Sequence, residues 1–487
     1  MSAESIKHTD IAIIGAGFGG IVAAARLLQH GFRNFTVLEK ENSVGGTWRD
    51  NNYPGCACDV PSHLYSLAFH LNPDWSDTFA GQGEIWDYLR TAVKELGIEP
   101  HIRFNHEVDT VVWEDDRQQW NIDTNQGTMT ARIVIAAPGP LSDPSIPKIE
   151  GIDEFAGETF HSSEWNHDYD LTNREVAVIG TGASAIQFVP KIQPQVKKLN
   201  LFQRTPPWIM PRTSRTVGPL EKAFYRNVPG ANRLRRTALY WGRETWALGF
   251  LNPSIMRRVQ KISRLHLNRQ VSDPELKDKL IPDYTMGCKR ILLSNTYWRS
   301  LDQDNAEVVT NGIRHIDRTG IVTSDGHHHR ADAIIWGTGF HVTDPPIAQM
   351  VTGRGGQKLA EAWSPSMRSY KSTTFSGFPN FFMMLGPNSA LGHNSVVLMV
   401  EAQMQQVIKA LKYMRKHRKR SVEPTALAQK AYHQRIAKKM KGTVWVAGGC
   451  DSWYLDSTNT NTTVWPGFVP TFRLMQNRFQ PSHYLLR

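Results

Sequence analysis

Two short glycine turns carry the first chemical signal in this chain. The first, GAGFGG, sets Gly15, Gly17 and Gly20 behind an apolar strand, 10–14. The second, GTGASA, sets Gly180, Gly182, Ser184 and Ala185 behind the strand 176–179, 165 residues further on. In such a turn the first small residue makes the tight bend. The second lets a pyrophosphate approach the backbone, and the third lets helix and strand pack closely. Amides at the helix N-terminus hold the phosphates. Two such turns suggest two dinucleotides facing each other, an arrangement that passes a hydride from one to the other.

The two units differ where their second strands end. In the first, strand 35–38 ends at Glu39, where a carboxylate accepts hydrogen bonds from ribose hydroxyls. In the second, strand 199–202 runs into Gln203, Arg204 and Thr205, and a guanidinium stands in place of the carboxylate. A carboxylate there would repel a 2′-phosphate, whereas Arg binds it with paired hydrogen bonds. The first site therefore suits FAD, and the second suits NADPH over NADH.

Other candidates lie between and after these units. Residues 41–69 form a long aromatic-rich stretch with turn chemistry at Gly45-Gly46 and Tyr53-Pro54-Gly55. It reads as a loop covering a cofactor, with Gly46, Thr47 and Trp48 at the first dinucleotide. Asp59 reads from spacing alone as a cap or turn residue, or as a functional carboxylate. Cys56 and Cys58 form CxC rather than a redox-active CxxC and read as structural. Lys289 and Arg290, in GCKR, are either a surface pair or a pair aimed at the second dinucleotide. Strand 381–385 ends in Gly386-Pro387-Asn388. Ligands bind at the carboxyl ends of parallel strands, so Gly386 and the backbone amide of Asn388 are expected at the flavin. His327–His329 sit at a hairpin turn where neighbouring side chains point to opposite faces, and no metal site is expected.

These residues need a two-part scaffold. Residues 10–40 read as a βαβ unit; 108–139 follow as hairpin, strand and glycine, and 321–339 repeat that ending. The fold class is α/β, with two Rossmann-like dinucleotide-binding domains, one for FAD and one for NADP, and a helical insertion. The expected FAD domain is discontinuous, 1–150 and 376–487. The expected NADP domain is 151–210 and 285–375. Residues 211–284, rich in Arg, Leu and Trp at helical spacing, form the insertion, which caps a substrate cavity or lies on a membrane surface. A helix over roughly 396–419 follows the return to the first domain.

Composition sets the outer limits. A chain of 487 residues can bury two or three domains. Four cysteines argue against a disulfide framework and for a reducing, cytoplasmic compartment. The uncharged run 11–25 is too short to cross a bilayer, so no integral membrane segment is expected, while peripheral lipid contact stays open. The net charge of +11, concentrated in 211–269 and 409–441, fits solvated helix faces and attraction for a polyanionic cofactor. No nucleic-acid module is visible, and no nucleic-acid partner is expected.

The stretch FAGETFHSSEW adds a fingerprint: Phe155, Gly157, His161 and Trp165, placed just before the second glycine turn. It resembles the FxGxxxHxxxW motif of Baeyer–Villiger monooxygenases. GGTW, YPGCACD, GTGASA, QRTPPW, CKR and GFPNFFMMLGP all follow in that family's order, and the likeness covers nearly the whole chain. Asn166 stands where the family often has Pro or Asp. The resemblance implies that Asp59 is an active-site aspartate and Arg290 the arginine over the flavin. It also implies that Lys289, Arg204 and Thr205 contact NADPH, and that His161 and Trp165 couple domain motion to catalysis.

The implied reaction uses NADPH to reduce FAD, adds O2 to the flavin C4a carbon, and lets the resulting peroxyflavin attack a small-molecule ketone to give an ester or lactone. Arg290, always protonated, would stabilise the anion, and Asp59 would orient that arginine. An S- or N-oxygenase is the enzyme alternative; it needs no arginine of this kind. An NADPH:flavin electron-transfer reductase is the alternative from another class, and it lacks the expected CxxC or docking feature here.

Overall fold

A computed structural model describes residues 7–487. The strand Lys7–Ile14 lies inside an eight-stranded sheet, parallel to Phe35–Leu38 on one side and to Gly127–Ala136 on the other. Ile11, Ala12 and Ile13 are all buried, as a strand covered on both faces requires. Val108–Glu114 and Gln119–Thr124 add an antiparallel meander to the far edge of Gly127–Ala136. The helix Phe18–Gln29 packs on one face, and the 21-residue helix Val396–Lys416 packs against it in the same apolar core.

The second sheet has five strands, all parallel. Glu175–Ile179 pairs with Lys198–Phe202 and Ala333–Trp336, and Ala306–Val309 and Glu158–His161 form the edges. A separate antiparallel sheet, Ile313–Asp317, Gly320–Thr323 and His328–Arg330, plays the part of the first domain's meander. The duplicated plan of strand, glycine turn, helix and hairpin is therefore present in both halves.

The insertion leaves through a narrow neck, where Ile209–Met210 pairs in parallel with Leu292–Leu293. Five helices lie between: Pro219–Asn227, Ala231–Glu244, Ala247–Leu251, Pro253–Asn268 and Pro274–Leu280. Their starts follow from local chemistry. Asn252 caps Pro253–Asn268 through Ser254 N–H, and Asp273 caps Pro274–Leu280 through Glu275 and Leu276 N–H, each with proline at the first helical position.

Two sequence-based expectations need correction. The chain returns to the first domain before residue 351, not at 376: Val351–Thr352 pairs with Val108–Glu114, and Leu359 and Trp363 share a core with Val111, Trp113, Trp120 and Phe381. These apolar residues are needed to cover the meander's otherwise open face. The second correction concerns cysteine. Cys288 and Cys450, 162 residues apart, form a disulfide. Cys56 and Cys58 stay free, and burial pushes the Cys56 thiol up to about 12. Both remain protonated thiols, as a structural role requires, since burial also raises Cys58.

Candidate active site

The first turn bends at Gly15, where φ is +96° and a Cβ would stand 2.5 Å from the Ala137 carbonyl oxygen. A Cβ on Gly20 would fall 1.9 Å from the Gly15 carbonyl oxygen, so the following helix can leave the turn only from glycine. Gly17 and Gly46 face each other, which lays the GGTW loop over the turn. No side chain caps the helix, and its first amides stay free for an anion. Glu39, buried, accepts from Ala16 N–H at 2.7 Å and from Arg49 Nη1 at 3.0 Å. Trp48, in the short helix that begins at Thr47, donates its indole N–H to the Tyr65 hydroxyl at 3.0 Å.

The second turn repeats the bend. Gly180 has φ +107°, and a Cβ there would lie 2.4 Å from the Gly337 carbonyl oxygen, while Gly182 has room for one. Ser184 begins the helix Ala185–Ile192 without capping it through its side chain. Arg204, exposed, lies near Lys289, beside Thr205. Burial, then repulsion from Arg204, holds the Lys289 ammonium below its ordinary value. The two cations are thus close enough to repel each other.

The loop after GGTW ties the two halves together. Tyr53 hydroxyl and Ala57 N–H both donate to Gln187 Oε1, at 3.0 and 3.2 Å, and Gln187 Nε2 donates to the Ala57 carbonyl at 2.9 Å. Gln187 belongs to the second unit's helix, so the loop crosses the boundary just before Asp59. There Asp59 meets Arg290 in a two-pronged pair, Nε to Oδ2 and Nη2 to Oδ1, both 2.7 Å. Attraction to Asp59 outweighs desolvation and holds the Arg290 guanidinium above its already high value. Tyr454, from the C-terminal segment, and Arg243, from the insertion, complete the surroundings of the pair.

Sequence and fold together find parallels among known proteins. Residues 12–229 match the family model described as "Pyridine nucleotide-disulphide oxidoreductase". A Baeyer–Villiger monooxygenase of Streptomyces coelicolor is 47% identical, covering 98% of this chain and 92% of its own length. One from Pseudomonas aeruginosa is 45% identical, covering 99% and 92%. The chain belongs to the Baeyer–Villiger monooxygenases. The solved structure of OTEMO complexed with FAD and NADP superposes with a TM-score of 0.89 at 27% identity, covering 98% of this chain and 99% of that one. The monooxygenase is thus an FAD- and NADPH-dependent flavoenzyme of the two-domain α/β class.

Within the monooxygenase, the fingerprint lies on the edge strand of the second sheet and beyond it. A Cβ on Gly157 would press on the Asp332 carbonyl oxygen at 2.5 Å and on the Phe155 ring. Trp165 packs edge-on against Phe160 and obliquely against Phe188. His161 is 1% exposed, bonds Ser163 through Nδ1, and stands edge-on to Phe340. Phe340 bridges to Pro144, and Ser145 N–H bonds Gly339, so His161 lies where the two crossings between domains run side by side. Burial pushes its imidazole down to about 4.

One expectation fails here. Asn388 does not offer its amide to a cofactor: that N–H donates to the Thr462 carbonyl at 2.7 Å, and its Nδ2 donates to Asn461 and Val464. Asn388 has φ 58° and bolts the end of its strand to the C-terminal segment. Gly386 faces the Ser372 carbonyl oxygen, 2.6 Å from where a Cβ would stand, so close packing explains that glycine. Arg49, Gln187, Arg243 and Tyr454 escaped the sequence reading. Arg49 alone left a signal, since it lies ten residues past Glu39 in a loop already assigned to the cofactor.

Proposed function

We propose that Arg290 and Asp59 are the catalytic pair, and that the substrate is a small-molecule ketone converted with O2 to an ester or lactone. The two-pronged 2.7 Å contact between residues of different domains carries this reading. Bound FAD, reduced by NADPH, supplies the oxygen activation. Arg290 contributes a fixed positive charge where negative charge develops, and Asp59 holds the guanidinium in one orientation without removing its protons. A heteroatom oxygenase has no use for such a clamp, which favours the ketone reaction.

The residues present fit both cofactors. At the first turn, Gly15 and Gly20 leave no room for side chains, no side chain caps the helix amides, and Glu39 is held in place for a ribose. At the second, Arg204 and Lys289 supply the charge a 2′-phosphate needs. We assign Gly46, Thr47 and Trp48 to the FAD side, and Gly182, Ser184 and Thr205 to the NADP side. Cytoplasmic residence is part of the proposal; no helix among the described residues is long and apolar enough to cross a membrane.

The test is isotopic. The FAD-loaded protein with NADPH, a cyclic ketone and ¹⁸O2 is expected to give a lactone carrying one labelled oxygen. NADPH consumption with hydrogen peroxide and no labelled lactone from a panel of ketones would overturn the reading.

A further inference from the structure

The insertion carries a surface that catalysis does not use. Residues 211–269 hold thirteen of the 56 Lys and Arg but only two of the 45 Asp and Glu, leaving 43 of each sign elsewhere. The same segment holds nine of the seventeen large apolar side chains exposed among the described residues. The other basic segment, 409–441, exposes only Leu427, so the combination of charge and bare apolar surface is particular to the insertion.

Spacing gathers the apolar residues into stripes. On Ala231–Glu244, Leu234 and Trp241 are one heptad apart and 71% and 57% exposed. On Pro253–Asn268, Ile255, Ile262 and Leu265 follow at seven and three residues, all exposed. The inward faces are separate: Ala231, Tyr240 and Glu244 on the first helix, and Met256, Ser263 and Leu267 on the second, are buried. The outward stripes therefore contribute nothing to the fold's own core.

Charge sharpens the point. Arg257, Lys261 and Arg264 are exposed between the apolar residues and make no ion pair among the described residues. Like charges four apart, as at Arg257 and Lys261, weaken a helix unless something anionic lies against it. A merely solvated face would intersperse acids. No helix among the described residues is long and apolar enough to cross a membrane. Apolar stripes flanked by arginine and lysine match the chemistry of a lipid interface, where apolar groups enter the acyl boundary and cations meet anionic headgroups.

We propose that the outer face of the insertion docks the enzyme reversibly on an anionic lipid bilayer. Flotation of the FAD-loaded protein tests this, using vesicles of phosphatidylcholine with 30% phosphatidylglycerol and vesicles of phosphatidylcholine alone. Binding to the anionic vesicles is expected at low salt, about tenfold weaker on neutral vesicles and similarly weakened at 300 mM salt. Trp241→Ser with Ile262→Ser is expected to cut it about tenfold again. Both side chains are exposed, and flavin content and thermal midpoint check that the variant is folded. Arg257→Gln, Lys261→Gln and Arg264→Gln together are expected to flatten the salt dependence. Equal partitioning onto both vesicle types, or none onto either, overturns the proposal. So does undiminished binding by the Ser variant together with equally tight, salt-sensitive binding to duplex DNA, which would mark a general polyanion site. A solution dimer that the Ser variant converts to monomer would assign the face to a second copy and also overturn it.

Discussion

The two glycine-turn units share a plan and differ in what stands at the end of the second strand. In the first, Glu39 is buried and already held by Ala16 N–H and Arg49. In the second, Arg204 is exposed and set near another cation, Lys289. A ribose diol needs an acceptor fixed in place, and a locked carboxylate provides one. A phosphate needs charge, and two cations that repel each other gain most when an anion arrives. On the proposed assignment, the same fold builds one preorganised site and one site completed by its ligand.

The third small residue of each turn offers the sharpest way to break that comparison. The second unit carries Ala185 there; the first carries Gly20, where a Cβ would overlap the Gly15 carbonyl oxygen at 1.9 Å. Gly20→Ala, which imports the second unit's residue into the first, is expected to cost more than about 3 kcal/mol and to yield protein without flavin. Flavin content and thermal midpoint read the outcome; a flavin-loaded variant of normal stability would show that the turns are interchangeable.

His161 tests the seam between the units. Its pKa falls from 6.5 to about 4 on folding, because burial disfavours the imidazolium. The folded state therefore carries no penalty above pH 6.5, and it loses stability as pH falls from there toward 4, by about 3 kcal/mol in all. Urea denaturation across that range is expected to show the loss, and His161→Gln is expected to flatten it. An unchanged slope in the variant would assign the pH dependence elsewhere.

Arg204→Glu sharpens the cofactor distinction. Replacing the exposed cation by the acid of the first unit is expected to lower the NADPH-to-NADH ratio of kcat/KM by about 100-fold. Lys289→Ala is expected to lower it about tenfold, since one cation of the two remains. Equal ratios in wild type and both variants would mean that these residues do not read the 2′-phosphate.

What could be read from sequence follows the range over which each signal acts. The turns, Glu39 and Arg204 are set within one βαβ unit, so local spacing suffices to find them. Asp59 and Arg290 lie 231 residues apart, and spacing alone left each open between a structural and a functional reading; only their place in a chain of family motifs raised them. Arg243 is one of many arginines in the helical insertion and Tyr454 lies in the C-terminal segment, and nothing in their neighbours singles them out. Asn388 was misjudged because a strand's carboxyl end predicts nearness to a ligand but not which donors are already taken. The early return at Val351 was missed because a two-residue strand has too little pattern to read.

The central claim is that one guanidinium, held by one carboxylate across the domain boundary, performs the oxygenation step and not the hydride transfer. Arg290→Ala separates the two. Stopped-flow absorbance should show the FAD-loaded variant still reduced by NADPH, while ester or lactone formation from a ketone is lost. Normal product yield from that variant would contradict the account and remove Arg290 from the mechanism.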